Sequence, residues 1–111
     1  MADMISLKEN RDFRRLYGKG KSFVSPVVVT YIMKNRCRQV RYGITTSKKI
    51  GKAVQRNRSR RVIREAFRQL SPQVKPGYDF VFVARGKTPY VKCVEVKDEL
   101  EAHLKKAGVL L

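Results

Sequence analysis

Acid, histidine and cysteine are scarce in this 111-residue chain: nine Asp and Glu, one His and two Cys stand against 26 Lys and Arg. A metal-free protein nuclease needs two groups that move protons near neutral pH, usually histidines, and His103 is alone. It reads as a surface residue of a terminal helix. A two-metal nuclease needs several convergent carboxylates. Here Asp3, Glu9, Asp12, Glu65, Asp79, Glu95, Asp98, Glu99 and Glu101 are scattered or share one helix exterior. Cys37 and Cys93 lack CxxC spacing and read as two reduced thiols, and with His103 they form no ligand pattern for zinc. The expectation is therefore no catalytic residue and no metal ligand in the protein itself. No apolar run approaches the roughly 18 residues of a membrane span, and Met1 to Asn10 lacks the charged-then-apolar order of a secretion signal. These absences predict a cytoplasmic protein with no membrane partner.

What is present is positive charge, a net +17, which predicts attraction to polyanions and says nothing about fold. The charge is concentrated between Lys48 and Leu70. At helical spacing, Val62, Ile63, Ala66, Phe67 and Leu70 form one apolar stripe, and Arg58, Arg60, Arg61, Arg64 and Arg68 fall outside it. A solvated helix face would interleave Glu with its Arg, and only Glu65 is available. A disordered basic address signal would have no use for the stripe. The segment reads as a folded helix that binds nucleic acid. Lys48-Lys49-Ile50-Gly51-Lys52 leads into it, and a lysine cluster at a helix N-terminus suits a phosphate backbone. The GxxxxGK[ST] spacing of a nucleotide-binding loop is missing. No helix-turn-helix pattern supports DNA as the partner.

Along the chain, Ser6 with Glu9 suggests a capping box. A first helix through Leu7, Phe13, Leu16 and Tyr17 would then end at Gly18 and Gly20. Phe13 and Tyr17 share a face, and spacing leaves open whether both are simply core. Lys21 to Val24 can form an edge strand. Val27 to Met33 reads as a strand, with Val29 and Tyr31 on one face and Val28, Thr30 and Ile32 on the other. Val40 to Ser47 would pair with it as an antiparallel hairpin. Tyr78 to Arg85 is apolar on both faces, as a central strand should be. From about Tyr90, Cys93, Val96, Leu100, Leu104 and Ala107 trace a last helix closed by Gly108. The expected fold class is α+β, a two-layer sandwich. A small, mostly antiparallel sheet would pack with three helices in the order α-β-β-β-α-β-α, within one domain spanning residues 1–111.

The run Lys48 to Glu65, with its Arg56-Asn57-Arg58 core, resembles the signature of the bacterial ribonuclease P protein subunit. The likeness extends to Leu7-Lys8, Asp12-Phe13, Gly20-Lys21-Ser22 and Tyr78 to Arg85, in order over about residues 5–107, with Gly86 to Lys92 matching least. The resemblance implies a left-handed crossover at the arginine helix, against the usual rule. It implies a ribonucleoprotein endonuclease in which a large RNA, with Mg²⁺ bound mainly by that RNA, removes the 5′ leader of precursor tRNA. The protein would be the non-catalytic subunit, with the RNA subunit and precursor tRNA as partners. By the same resemblance Lys48, Lys49, Lys52, Arg56, Asn57, Arg58, Arg60, Arg61 and Arg64 would face the RNA. Phe13, Tyr17, Val29 and Tyr31 would line a leader cleft, with Tyr17 at a position often occupied by Phe. A ribosomal or RNA-chaperone protein would share the charge and the sandwich, but would not distinguish precursor from mature tRNA.

Overall fold

A computed structural model describes residues 4–111. Its strands are β1 (Met4–Ser6), β2 (Lys21–Val24), β3 (Val28–Lys34), β4 (Val40–Thr45) and β5 (Tyr78–Ala84). Its helices are α1 (Asn10–Lys19), α2 (Ala53–Leu70) and α3 (Cys93–Ala107), with single 3₁₀ turns at Lys48–Ile50, Ser71–Gln73 and Thr88–Tyr90. The sheet runs β1-β4-β5-β3-β2.

Strand β5 sits in the middle because both its faces are apolar, and a strand that must lose water on two sides belongs away from the edges. It pairs antiparallel with β3 and parallel with β4. The expected hairpin between β3 and β4 is therefore not formed. Those strands run in opposite directions, but β5 is inserted between them. The sheet is mixed rather than mostly antiparallel, since β1 also joins β4 in parallel. Helix α2 is the crossover between parallel β4 and β5.

Alternation along β5 sends Phe80 and Phe82 to one face and Asp79, Val81 and Val83 to the other. Phe67 of α2 packs on the first face, its ring centroid 5.2 Å from Phe80 and 4.8 Å from Phe82. Ile63, Ala66 and Leu70 of the predicted stripe are buried beside it, with Val62 half-buried. On the same face α3 buries Val96, Leu100 and Leu104. Leu16 of α1 and Leu7 pack on Val81 on the opposite face. The expected α+β packing of three helices on a small sheet is thus formed, with α2 and α3 on one face and α1 covering part of the other.

Near the N-terminus the capping box gives way to a strand and a loop. Ser6 ends β1, a strand missing from the expected order, and Leu7 N–H donates to the Tyr42 carbonyl at 2.7 Å. Glu9 is the N-cap of α1 with no side-chain bond to the helix, and it pairs with Arg11 instead. Sheet pairing here outweighs the local capping preference. At the other end α3 starts at Cys93, not near Tyr90, after the turn at Thr88–Tyr90. Gly108 closes it as expected, in a left-handed conformation at φ 73°.

Asp79 is 1% exposed and fully engaged. Arg41 donates Nε to Oδ1 at 2.7 Å and Nη2 to Oδ2 at 2.6 Å, and Asn35 Nδ2 donates to Oδ1 at 2.8 Å. Arg15 Nη2 lies 3.7 Å from Oδ2. One carboxylate thus ties β4, β5, the β3–β4 turn and α1 together, and its hydrogen bonds hold the Arg41 guanidinium above its ordinary pKa.

His103 is a second correction: it is 4% exposed, not a surface residue. Its Nδ1 lies 2.8 Å from Thr30 Oγ1 of β3, and its ring stacks on Phe23 of β2 at 6.0 Å. Burial lowers its pKa, Glu99 opposes that shift and Lys106 reinforces it. The folded chain therefore resists a proton that the unfolded chain accepts near pH 6.5. Stability is full above about pH 6.5 and falls as pH drops through that value toward the lowered folded pKa. Urea midpoints measured between about pH 8 and 5 should fall on the acid side. In His103→Asn that part of the decline should be missing.

Candidate nucleic-acid interface

The α1 face of the sheet is only partly covered, and the uncovered part forms a cleft. Gly43 of β4 makes the close approach of α1 possible. A Cβ placed there would stand 2.5 Å from Cζ and 2.6 Å from Cε1 of Phe13, well inside contact distance. The absent side chain leaves a seat for the Phe13 ring. One turn on, Tyr17 is 41% exposed and its hydroxyl bonds Thr45 Oγ1 at 2.7 Å. Its ring meets Tyr31 edge to face, centroids 5.0 Å apart at 76°, a favoured aromatic geometry.

Beyond Tyr17 the helix ends and the sheet continues. Val24, Val29, Val83 and Thr45 stand in register across β2, β3, β5 and β4. Val29 and Val83 are half-buried and Val24 is 66% exposed. This row makes an apolar floor with an aromatic wall. Arg14 and Lys19 of α1 are exposed and without an ion-pair partner among the described residues. Phe13, Tyr17, Val29 and Tyr31, assigned by resemblance, are thus brought to one place. Gly43, Thr45, Val24 and Val83 were missed, because which strands neighbour β3 depends on the insertion of β5. Only the glycine within Arg41-Tyr42-Gly43-Ile44 was a visible signal.

The second surface starts where β4 ends. After Ser47 the chain makes a 3₁₀ turn and passes through Gly51 at φ 137°, a conformation L side chains rarely adopt. It then enters α2 at Lys52 with no side-chain cap and no acid in the first turn. Lys48, Lys49 and Lys52 are exposed around this positive helix end. Along α2, Asn57, Arg61 and Arg64 are exposed and Arg56 and Arg60 half-exposed. Val54, Asn57, Arg60, Arg61 and Arg64 line a shallow depression of about 490 Å³. Arg60 Nη1 donates to Asn57 Oδ1 at 3.2 Å, which holds one guanidinium over the depression's rim.

The acid that could neutralise this helix is occupied. Glu65 accepts from Arg68 Nε at 2.9 Å and from Gln69. These bonds, Arg68 first, bring its carboxyl down to about 2, so it stays ionised and committed. Arg56, Arg60, Arg61 and Arg64 have no acidic partner among the described residues. Arg58 differs from the rest, for its Nε donates to the Pro89 carbonyl at 2.6 Å.

Among the described residues no group of three or more His, Cys, Asp or Glu could hold a metal ion. Both oxygens of Asp79, the one deeply buried carboxylate, are already bonded. The described residues therefore offer no cage made of protein ligands alone for Mg²⁺. Nor is any helix of the described residues long and apolar enough to cross a membrane.

A basic α+β domain with an open aromatic cleft and an arginine helix most of whose cations lack an acidic partner among the described residues has the features of a nucleic-acid-binding protein. The family model described as Ribonuclease P matches residues 1–108. The chain is 42% identical over 104 residues to the ribonuclease P protein component of Clostridium botulinum (strain Loch Maree / Type A3), covering 93% of this chain and 94% of that one. It is 52% identical over 80 residues to that of Clostridioides difficile (strain 630), covering 71% and 70%. The RNase P protein structure from Staphylococcus aureus superposes with a TM-score of 0.83 at 34% identity, covering 96% of this chain and 97% of that one. That from Thermotoga maritima gives 0.80 at 32%, covering 91% and 96%. The chain belongs to the ribonuclease P protein family.

Gly43→Ala tests the seat of the Phe13 ring. Overpacking there should cost about 1–3 kcal/mol, read as a lower melting temperature. Adding Phe13→Leu should recover part of the loss. Equal melting temperatures for Gly43→Ala and the unaltered chain would show that the ring moves aside freely.

Proposed function

We propose that this chain is the protein subunit of a ribonuclease P holoenzyme. It binds the catalytic RNA through Lys48, Lys49, Lys52 and the α2 residues Arg56, Asn57, Arg60, Arg61 and Arg64. It holds the 5′ leader of precursor tRNA in the cleft of Phe13, Tyr17, Val29 and Tyr31. Endonucleolytic removal of the leader, giving the mature tRNA 5′ end, is then promoted by positioning and by screening of phosphate charge.

The observation that carries this reading is the open cleft itself, an apolar floor with aromatic rings, bordered by a helix that also bears the exposed cations Arg14 and Lys19. Single-stranded RNA is held in such grooves by stacking, at about 1–3 kcal/mol per base, with cations tracking the backbone. Mature tRNA has no leader to place there. A cleft that fits only the leader would make precursor bind more tightly than product, and would fix the scissile bond relative to the RNA's reactive groups.

In this reading the chemistry and its Mg²⁺ belong to the RNA subunit. The protein's part is electrostatic and geometric. Its cations reduce the repulsion between two polyanions that must lie side by side, and this contribution weakens as salt rises.

Processing of precursor tRNA at low Mg²⁺ should require both the chain and an RNA subunit. Cleavage by the chain alone would overturn the division of labour. Phe13→Ala should reduce the preference for precursor over mature tRNA and leave RNA-subunit assembly nearly intact. Arg64→Ala should weaken assembly and flatten the dependence of log affinity on log salt by about one. An unchanged slope would take Arg64 off the RNA surface.

A further inference from the structure

The turn Thr88–Tyr90 between β5 and α3 is built more rigidly than a plain connection needs. Thr88 is buried, and its Oγ1 accepts from Arg85 N–H at 2.8 Å and donates to the Val27 carbonyl at 2.6 Å. Pro89 is buried and restricts the backbone. Tyr90 N–H returns to the Lys87 carbonyl at 3.0 Å. From the other side Arg58 of α2 donates Nε to the Pro89 carbonyl. The residue this framework holds is Tyr90, at 74% the most exposed aromatic of the chain. A ring carried on a fixed backbone and left mostly uncovered by its own protein is suited to cover something else.

Its surroundings state the chemistry of that something. Lys87 and Lys92 are exposed on either side of it in the chain. Arg58, Arg61, Val91 and Lys92 line a shallow depression of about 450 Å³ between α2 and the start of α3. Glu65 also borders this depression, but it is committed to Arg68 and Gln69. An exposed ring on a fixed turn, next in the chain to a depression lined by Arg58, Arg61 and Lys92, matches an unpaired nucleotide, with a π face for stacking and a phosphate for the charges. An acidic protein partner would use the cations and have less use for the flat ring.

We propose that Tyr90 is a stacking contact for an unpaired base of the RNA subunit, and that Arg58 is the positioning residue that holds the turn against α2. This extends the RNA-facing surface from the arginine helix onto the β5–α3 connection, and it rests on the function proposed above. It also gives Arg58 a role distinct from that of the other α2 arginines, through its bond to the Pro89 carbonyl.

The chain has no tryptophan, so Tyr90→Trp introduces a single reporter. Its fluorescence should be quenched on titration with the ribonuclease P RNA of the source organism, as an indole stacked on a base requires. Tyr90→Ala should weaken binding of that RNA by about 5- to 150-fold. Tyr90→Phe should stay within about twofold of the unaltered chain, because a phenyl ring still stacks. The salt slope should be unchanged in both, since no charge is removed. Arg58→Lys keeps the charge but replaces Nε. It should weaken binding in the unaltered chain and much less in the Tyr90→Ala background. Full affinity for Tyr90→Ala, or a Trp signal that does not respond to RNA, would overturn the proposal while leaving the general function standing. Selective loss of precursor-over-mature preference in Tyr90→Ala would overturn it by moving the ring to the leader. Failure of the unaltered chain to bind that RNA would bring down the functional reading itself.

Discussion

Phe67 against Phe80 and Phe82 is the contact on which the other arrangements depend. Those rings meet at 4.8 to 5.2 Å, and the contact fixes α2 on one face of the sheet with its polar side turned to solvent. Because β5 alternates, the same strand presents Val81 and Asp79 to the opposite face, where Leu16 and Arg15 of α1 meet them. One central strand therefore sets the position of both candidate RNA surfaces. Truncating a buried ring of this kind costs about 3–5 kcal/mol. The loss would fall on the arginine helix and the cleft together.

The charge explains why such an anchor is needed. Six arginines lie on α2 with one glutamate among them, and like charges one turn apart repel. Isolated, the helix would gain little from propensity and lose by repulsion. Burial of Ile63, Ala66, Phe67 and Leu70 offsets that cost, so Arg56, Arg60, Arg61 and Arg64 stand on a folded element with no acidic partner among the described residues. The chain does neutralise charge where geometry demands it. Asp79 spends both oxygens on Arg41 and Asn35 inside the protein, and that carboxylate is thereby withheld from metal chemistry. A polyanion that binds only the folded chain would stabilise it further by mass action.

Elements with one strong local signal were legible in the sequence. The stripe of α2, the apolar β5, the alternation of Val28, Thr30 and Ile32 against Val29 and Tyr31, and the glycine stop of α3 are all local patterns. What was not legible required knowing which strand lies beside which. The short polar link between β3 and β4 favours a hairpin by proximity. The pairing was decided instead by the need of β5 to be covered on both sides. The same insertion hid Gly43, Thr45 and Val83, which border the cleft because β5 neighbours β3 and β4 lies beyond β5. His103 was misread because a histidine on a charged helix carries no mark of the Thr30 hydroxyl it meets 73 residues away.

The two surfaces also lie within a short chain distance of each other. Thr45, which holds the Tyr17 hydroxyl, ends β4, and Lys48 follows three residues later. Three residues span at most about 11 Å, so the floor of the cleft and the first lysine of the loop are close neighbours whatever the path between them. A single strand leaving the aromatic wall beside Thr45 reaches Lys48 and the uncapped end of α2 within a few nucleotides. Strand β4 is held by β5 along Val40–Thr45 and by β1 at Val40–Tyr42. Its end at Thr45 is therefore a fixed point. In the function proposed above, that point sets how far a leader in the cleft would lie from RNA packed on α2.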